Sequence, residues 1–148
     1  MIRPFSLSDL EPILQIEKQS FPKSPYDRTT FLNLYFLYPE TFLVHVHTIP
    51  CEKEEQISGY IIFSQDGHII SIAVLPWHRR KGIGTQLLQR VMKTPRIKRV
   101  WAEVRRSNQE AQAFYFKMGF QITDRVPNYY GNEDALIVQW VPPASDPY

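Results

Sequence analysis

The chain has 148 residues and a formal net charge of +2, with 17 Lys and Arg against 15 Asp and Glu. A length near 150 predicts one domain, which can bury about 70% of its unfolded surface without a disulfide or a metal. The single cysteine, Cys51, excludes an internal disulfide and a multi-thiolate metal site. No apolar run approaches the ~18 residues of a membrane span, and the first residues lack a signal-peptide pattern, so we expect a cytoplasmic protein.

Charge is unevenly distributed along the chain. Residues 79–106 contain ten basic side chains and one acidic side chain, Glu103, which gives this segment a formal charge of +9. The rest of the chain has seven bases and fourteen acids, a formal charge of −7. This separation predicts an anion-binding surface on one part of the protein.

The N-terminal part of the sequence is typical of two helices. Residues 8–11, Ser-Asp-Leu-Glu, have the pattern of a capping box, which predicts the start of the first helix. That helix should end near Phe21-Pro22, because proline disfavours the helical conformation in the residue before it. A second helix is predicted over 29–37.

The hydrophobic period then changes to that of strands, with a hairpin loop over 51–56 and a turn at Asp66-Gly67. The other predicted elements are strands over 42–47, 57–64 and 68–74, a helix over 82–93, a strand over 100–104, a helix over 109–117, and strands over 121–126 and 135–141. With a short first strand the order is β-α-α-β-β-β-α-β-α-β-β, a mixed α/β domain with one strand–helix–strand crossover around Gly82. We expect a single domain over 1–141 and a loose tail over 142–148.

A basic, glycine-containing turn follows the strand Ile72-Ala73-Val74 and precedes a helix. The first amides of a helix have no intrahelical partners and lie at the positive end of its dipole, so such a turn suits a phosphate. The turn matches neither the nucleotide P-loop nor the dinucleotide fingerprint. On these residues alone, a plain structural turn stays an alternative.

The pattern Arg79-x-x-Gly82-x-Gly84 after that strand resembles motif A of the GNAT acyl-CoA N-acyltransferases. The resemblance implies a central, mostly antiparallel twisted sheet flanked by helices, and acetyl-CoA as cosubstrate. It implies that the main chain of the strand binds the pantetheine arm and the acetyl group. The residues that it assigns to acetyl-CoA here are Ile72, Ala73, Val74, Arg79, Arg80, Lys81, Gly82, Ile83, Gly84 and Thr85.

Residues 108–120 are similar to motif B of the same family, through Asn108, Tyr115 and the Gly119-Phe120 pair. In that motif the Asn contacts the pantetheine arm and the Tyr lies beside the thioester sulfur. The resemblance therefore implies that Asn108 and Tyr115 contact acetyl-CoA, and that Tyr115 protonates the departing thiolate.

Three further segments narrow the class. Residues 103–108, Glu-Val-Arg-Arg-Ser-Asn, resemble the signature of RimI-like protein N-terminal acetyltransferases, and residues 67–75 are similar to archaeal members. Tyr129-Tyr130 resembles the last hairpin of these enzymes, where paired tyrosines fix the first residues of the substrate. Phe21-Pro22 with Tyr26 is similar to the wall of their first-residue pocket. The implied reaction is acetyl transfer from acetyl-CoA to the α-amino group of a protein N-terminus, by direct attack in a ternary complex.

The chemistry of that reaction needs only a weak base. An α-amino group has a pKa near 8, against about 10.4 for lysine, so about a tenth of α-amines are already neutral at pH 7. Glu103 and His68 are the candidate bases, alone or together.

Each candidate also has a plainer interpretation. Glu103 could be an ion-pair partner, His68 a turn residue, Tyr115 a core residue and Tyr129-Tyr130 a strand edge. We interpret the three tryptophans, Trp77, Trp101 and Trp140, as packing residues. The remaining histidines, His45, His47 and His78, are too scattered to predict a zinc site, and we expect no metal.

The partners expected are protein N-termini, either nascent chains or a ribosomal protein, with no membrane and no specific nucleic acid. The basic residues over 90–99 are solvated surface or a contact for the 3′-phosphate of CoA or a ribosome. A monomer is expected. Three other functions stay open: acetylation of a small-molecule amine or a lysine, binding of nucleic acid, and binding of CoA without catalysis.

Overall fold

The computed structural model describes residues 1–49, 54–79 and 81–143. The strands and helices are β1 Ile2–Pro4, α1 Leu10–Ser20, α2 Arg28–Leu37, β2 Phe42–Thr48, β3 Glu55–Phe63, β4 Ile69–Val74, α3 Ile83–Met92, β5 Val100–Arg105, α4 Gln109–Lys117, β6 Gln121–Val126 and β7 Ala135–Trp140. Two 3-10 turns, Leu7–Asp9 and Pro76–His78, precede α1 and follow β4. This confirms the predicted order of elements.

The chain forms two compact units. The first comprises Met1–Ser64 and Ile70–Arg90, and the second comprises Gln65–Ile69 and Val91–Tyr148. Neither bears on the expected single domain over 1–141, which stays a prediction. The residues predicted as a loose tail lie largely outside the described part of the chain, as does the first half of the predicted hairpin loop over 51–56. The prediction is wrong at the end of that loop, because β3 already begins at Glu55 and pairs with Thr48 of β2.

The first unit is built on a four-stranded sheet of order β1-β2-β3-β4. β1 and β3 both pair with β2 in antiparallel register, with a bulge between His45 and Val46. Aromatic side chains dominate its core: Phe31 lies edge-on to Tyr60 with ring centroids 5.7 Å apart, and Phe42 stacks on Phe5 at 4.1 Å. The sequence folds this way because β2 and β3 are apolar on both faces and need cover from helices.

The capping box lies two residues earlier than the sequence predicts. The box is formed by Ser6 and Asp9: the Asp9 carboxylate accepts the Ser6 amide at 2.9 Å, and α1 begins only at Leu10. Arg3 fixes the same carboxylate through two bonds of 2.8 and 2.9 Å. The serine at position 8 hydrogen-bonds only to the Ser6 hydroxyl among the described contacts. Arg3 of β1 therefore stabilises the box over residues 6–9, which precedes α1, and not the similar pattern over residues 8–11.

A buried carboxylate fixes the connection between α1 and α2. Glu17 is 2% exposed, and its Oε1 accepts the Tyr26 amide at 3.1 Å. Its Oε2 accepts the Tyr60 hydroxyl, which lies 2.8 Å from the Ser71 hydroxyl. Burial raises the pKa of Glu17 above its ordinary value. The helix ends at Ser20, as Phe21-Pro22 predicts.

The second unit is built on a three-stranded antiparallel sheet of order β5-β7-β6. The register of β5 with β7 is continuous, whereas β6 has a bulge between Ile122 and Asp124. α4 ends two residues before a glycine in the left-handed region, Gly119 with φ +92°, the conformation in which many helices terminate.

The predicted strand over 68–74 begins one residue too early. β4 begins at Ile69, and His68 instead forms an isolated parallel bridge with Trp101 of β5. In the described part of the chain, no helix has the length and apolarity that a membrane crossing requires.

Candidate active site

The predicted phosphate-binding turn lies in the first unit, between β4 and α3. Gly82 has φ +80°, and a Cβ there would meet no atom within 4 Å, so the backbone faces open space. Gln86 N donates to Gly82 O at 2.9 Å in the first turn of α3. The amides of Ile83, Gly84 and Thr85 precede that bond, and helix geometry leaves them without intrahelical acceptors.

Basic side chains accompany these amides. Lys81 is exposed, and Arg79 donates to the Val74 carbonyl at 3.2 Å and to the Ser20 hydroxyl at 3.4 Å. Arg80 lies outside the described residues. Amide donors with flexible cations are the donor set that a pyrophosphate needs, so the turn fits the phosphates of acetyl-CoA.

The strand before this turn, with Ile72, Ala73 and Val74, is close to β3. A Cβ at Gly59 of β3 would lie 2.7 Å from the Ala73 carbonyl oxygen, so only glycine permits this approach. The sequence signal for this approach is a lone glycine inside an apolar strand, Gly59, which is typical of close backbone contact.

In the second unit, His68 and Glu103 form a hydrogen-bonded pair. His68 Nε2 lies 2.9 Å from each oxygen of the Glu103 carboxylate. The side chains are 32% and 20% exposed, so a substrate can reach them. The hydrogen bond that His68 donates to the Glu103 carboxylate raises the pKa of His68 more than burial lowers it, and the charges of Glu103 and Asp66 raise it further.

Glu103 lies on the less buried face of β5, and His68 reaches it from the residue before β4. Alternate residues of a strand share a face, and Trp101, Glu103 and Arg105 are half-buried, whereas the valines and alanine between them are buried. The His68 ring lies parallel to the Trp101 ring, with centroids 5.2 Å apart and planes at 7°. The structure therefore assigns Trp101, which we interpreted as packing, to the neighbourhood of the candidate bases.

Three tyrosines lie within the electrostatic reach of Glu103. Tyr115 is 4% exposed, and burial with the Glu103 charge raises its pKa. Burial likewise raises the pKa of Tyr129, and raises that of Tyr130 to about 12, with the Glu103 charge contributing to both. A raised pKa keeps each phenol protonated at neutral pH, so it can donate a hydrogen bond to a thiolate, although it makes the phenol a weaker acid than free tyrosine.

The two hairpin tyrosines are held as a unit. Tyr129 and Tyr130 are edge-to-face at 4.9 Å, and the Arg105 guanidinium lies 4.1 Å from the centre of the Tyr130 ring. Arg105 also pairs with Glu133 at 3.0 Å, and Glu133 accepts the Ser107 amide at 3.1 Å. The second unit thus brings together five predicted residues: His68, Glu103, Tyr115, Tyr129 and Tyr130.

The other predicted contacts have local roles. Asn108 caps α4, because its side-chain oxygen accepts the Ala111 amide at 3.0 Å. Phe21, Pro22 and Tyr26 lie in the α1–α2 connection of the first unit, where Pro22 is exposed and the two rings are half-buried. Their predicted contacts with cosubstrate and substrate stay predictions.

Histidines of the first unit form a group that the sequence analysis missed. The rings of His47 and His78 are 4.6 Å apart, and His45 Nε2 lies 2.9 Å from Gln86 Oε1. Burial lowers the pKa of His45 and of His78. Among the residues that the structure describes, no three His, Cys, Asp or Glu side chains are arranged to hold a metal ion. Trp77, also interpreted as packing, has a side chain outside that description.

Comparisons with known proteins agree with the two sequence motifs. The model of the acetyltransferase (GNAT) family matches residues 9–120. An N-alpha-acetyltransferase of Sulfurisphaera tokodaii is 33% identical, over 93% of this chain and 90% of the relative. A putative ribosomal protein bS18 alanine N-acetyltransferase of Bacillus subtilis is 32% identical, over 95% and 93%. The crystal structure of Ard1 from Thermoplasma volcanium superposes with a TM-score of 0.80 at 31% identity, over 95% of this chain and 96% of that one. The two sequence motifs, the order of strands and helices and these similarities agree, and the chain belongs to the GNAT family of acetyltransferases.

Proposed function

We propose that this protein transfers the acetyl group of acetyl-CoA to the α-amino group of protein N-termini. The observation that carries the proposal is the His68–Glu103 pair, with 2.9 Å from Nε2 to each carboxylate oxygen, within the electrostatic reach of three tyrosines. The similarity to N-alpha-acetyltransferases supports it.

The chain's own residues would hold acetyl-CoA in two ways. The turn amides of Gly82 to Thr85 would bind its pyrophosphate together with Arg79, Arg80 and Lys81. The main chain of β4 would bind its pantetheine arm, with Asn108 and Tyr115 as the motif B contacts. Acetyl-CoA supplies an acetyl group activated as a thioester.

The pair accepts the proton that the attacking ammonium must lose. Because the Glu103 carboxylate accepts a hydrogen bond from the protonated His68 ring, it stabilises the proton that His68 takes up. An α-ammonium with a pKa near 8 needs little help at neutral pH, whereas a lysine near 10.4 would need a much stronger base. The modest basicity of a histidine–carboxylate pair therefore favours an N-terminal amine over a lysine.

Tyr115 is the proposed donor of a proton to the departing sulfur. Its raised pKa keeps the phenol protonated throughout the physiological range. Phe21, Pro22, Tyr26, Tyr129 and Tyr130 are the proposed contacts for the first residues of the substrate. Tyr129 is 51% exposed, which leaves a large aromatic surface for a peptide.

The substrate is a nascent chain or a ribosomal protein, and the site of action is the cytoplasm. The similarity to a ribosomal protein alanine N-acetyltransferase supports the second substrate class. Lys93, Arg96 and Lys98 are exposed and take part in none of the ion pairs found among the described residues, which supports a contact with ribosomal RNA. The protein is proposed to act as a monomer.

A pair of peptides tests the proposal. One has a free N-terminus and no lysine, and the other has a blocked N-terminus and one internal lysine. We expect acetyl-CoA consumption only with the first, and a large loss of kcat in Glu103→Gln with unchanged thermal stabilisation by CoA. Activity on the blocked peptide alone would contradict N-terminal acetylation. CoA stabilisation with no turnover on any peptide would indicate a CoA-binding protein without catalysis.

A further inference from the structure

Trp101 contacts His68 through both its backbone and its side chain. The Trp101 amide donates to the Gly67 carbonyl at 3.0 Å, and the parallel bridge pairs His68 with Trp101. The indole and imidazole planes lie within 7° of each other, with centroids 5.2 Å apart. Trp101 therefore contacts both the main chain at Gly67–His68 and the imidazole ring of His68.

The ring plane matters because the bond to Glu103 is symmetric. Nε2 lies 2.9 Å from both carboxylate oxygens, an arrangement that rotation of the imidazole would destroy. The outer torsion of histidine joins an sp³ to an sp² carbon and has broad minima, so it does not fix the ring by itself. Trp101 and Glu103 are two residues apart on one face of β5, so the ring can stack on the first while its nitrogen reaches the second.

We propose that Trp101 is a positioning residue, which holds the His68 imidazole in the orientation that bonds both oxygens of Glu103. The proposal rests on the proposed function only where turnover is concerned, because the contacts themselves require no substrate. Its chemical role is to keep the proton-accepting pair aligned between turnovers.

Several charged or titratable groups lie near the His68–Glu103 pair and influence its protonation. Glu103 and Asp66 raise the pKa of His68. The side chains within reach of the Glu103 charge are Tyr115, Tyr129 and Tyr130. The Arg99 guanidinium lies 4.1 Å from the centre of the Trp101 ring, and it donates to Gln139 at 3.0 Å across the sheet. Arg99, which directly precedes β5, therefore packs against the Trp101 indole as well.

Stacking on an indole also favours the protonated imidazole, because the face of the ring attracts a cation. Loss of the indole should therefore lower the pKa of His68 for two reasons, weaker alignment with Glu103 and a lost cation–π contact. The gain of water around the ring acts in the opposite direction and offsets only part of this, because burial lowers the pKa of His68 by less than the Glu103 hydrogen bond raises it.

The test is an NMR titration of the His68 ring in the wild type, Trp101→Leu and Trp101→Phe. We expect Trp101→Leu to lower the pKa of His68, and Trp101→Phe, which keeps an aromatic face, to leave it close to the wild-type value. An unchanged pKa of His68 in Trp101→Leu would overturn the proposal, whatever the activity of the variant.

A second measurement uses the native indole and does not depend on that variant folding. A protonated imidazole stacked on an indole quenches its fluorescence, so the wild type should show a pH-dependent emission step that His68→Gln lacks. No difference between the two emission titrations would refute the stacking.

Turnover separates this inference from the proposed function. If Trp101→Leu shifts both the pKa of His68 and the acid limb of the pH profile of kcat to lower pH, the positioning role and the assignment of the base are both supported. If the pKa of His68 falls and the profile does not move, Trp101 positions His68 as proposed, and the assignment of the pair as the base is wrong.

Discussion

A single methyl group at Gly67 should disturb the second unit more than its size suggests. Gly67 has φ +103°, and a Cβ built there would lie 1.9 Å from the carbonyl oxygen of Arg99 and 3.0 Å from its carbonyl carbon. These atoms belong to the backbone just before β5 and cannot rotate away. In Gly67→Ala the turn must therefore move away from the strand.

The cost has separate physical parts. A positive φ costs an L-residue about 1–2 kcal/mol, and moving the turn breaks the 3.0 Å bond from Trp101 N to Gly67 O, which contributes about 1 kcal/mol. Overpacking against the Arg99 carbonyl adds about 1–3 kcal/mol, while the stiffer unfolded chain offsets up to about 1 kcal/mol. The net loss is about 3 kcal/mol, which for a chain of 148 residues lowers Tm by about 6–12 °C.

Gly131→Ala is the matched control. Gly131 has φ +84° and nothing within 4 Å of a built Cβ, so it shares the backbone strain and the unfolded-state effect but has no clash. We expect a loss of about 1 kcal/mol and about 2–4 °C. Urea unfolding followed by circular dichroism gives both free energies. Equal losses in the two variants would refute the clash with Arg99 as the cause.

Three further predictions concern the other sites. Gly82→Glu should abolish the rise in Tm that CoA causes in the wild type, through crowding and charge repulsion at the pyrophosphate, and a retained rise would count against the turn. Glu103→Gln should lower the pKa of His68, measured by NMR, because it removes the group that raises this pKa most. A histidine whose pKa is raised in the folded state stabilises that state at pH values below the pKa of a free histidine. The wild type should therefore lose this stability as pH rises through the pKa of folded His68. Glu17→Gln should remove a pH dependence: burial raises the pKa of Glu17, so the wild type should lose stability relative to the variant as pH rises above about 4.5. Parallel unfolding free energies of the two proteins from pH 4 to 8 would contradict this.

Much of the fold could be predicted because its signals are local. Proline at position 22 sets the end of α1 within a residue, and Gly119 marks the end of α4. The phosphate turn is contiguous, and its glycines and cations are adjacent in the sequence. Signals of this kind need no knowledge of distant contacts.

The errors arise where a distant partner decides. Residues 6–9 and 8–11 are both plausible helix starts. Distant partners distinguish them, because Arg3 on β1 binds Asp9 whereas Glu11 pairs with Arg28. His68 leaves β4 because its backbone pairs with Trp101, 33 positions later. The Glu17–Tyr60 bond joins residues 43 positions apart, so periodicity could not indicate it. Hydrophobic pattern alone places a tryptophan in a core, and only the register of β5 identifies Trp101 as a neighbour of the proposed base.

The alternation along β5 makes this strand intolerant of changes in length. Deleting one residue between Arg99 and Glu103 would exchange its two faces, so that a valine would replace the carboxylate beside His68. β6 is different, because it already accommodates an extra residue at its bulge and its side chains are exposed. Across the natural diversity of such sequences, insertions and deletions should therefore concentrate in β6 and the tips of the loops, and β5 should keep a constant length.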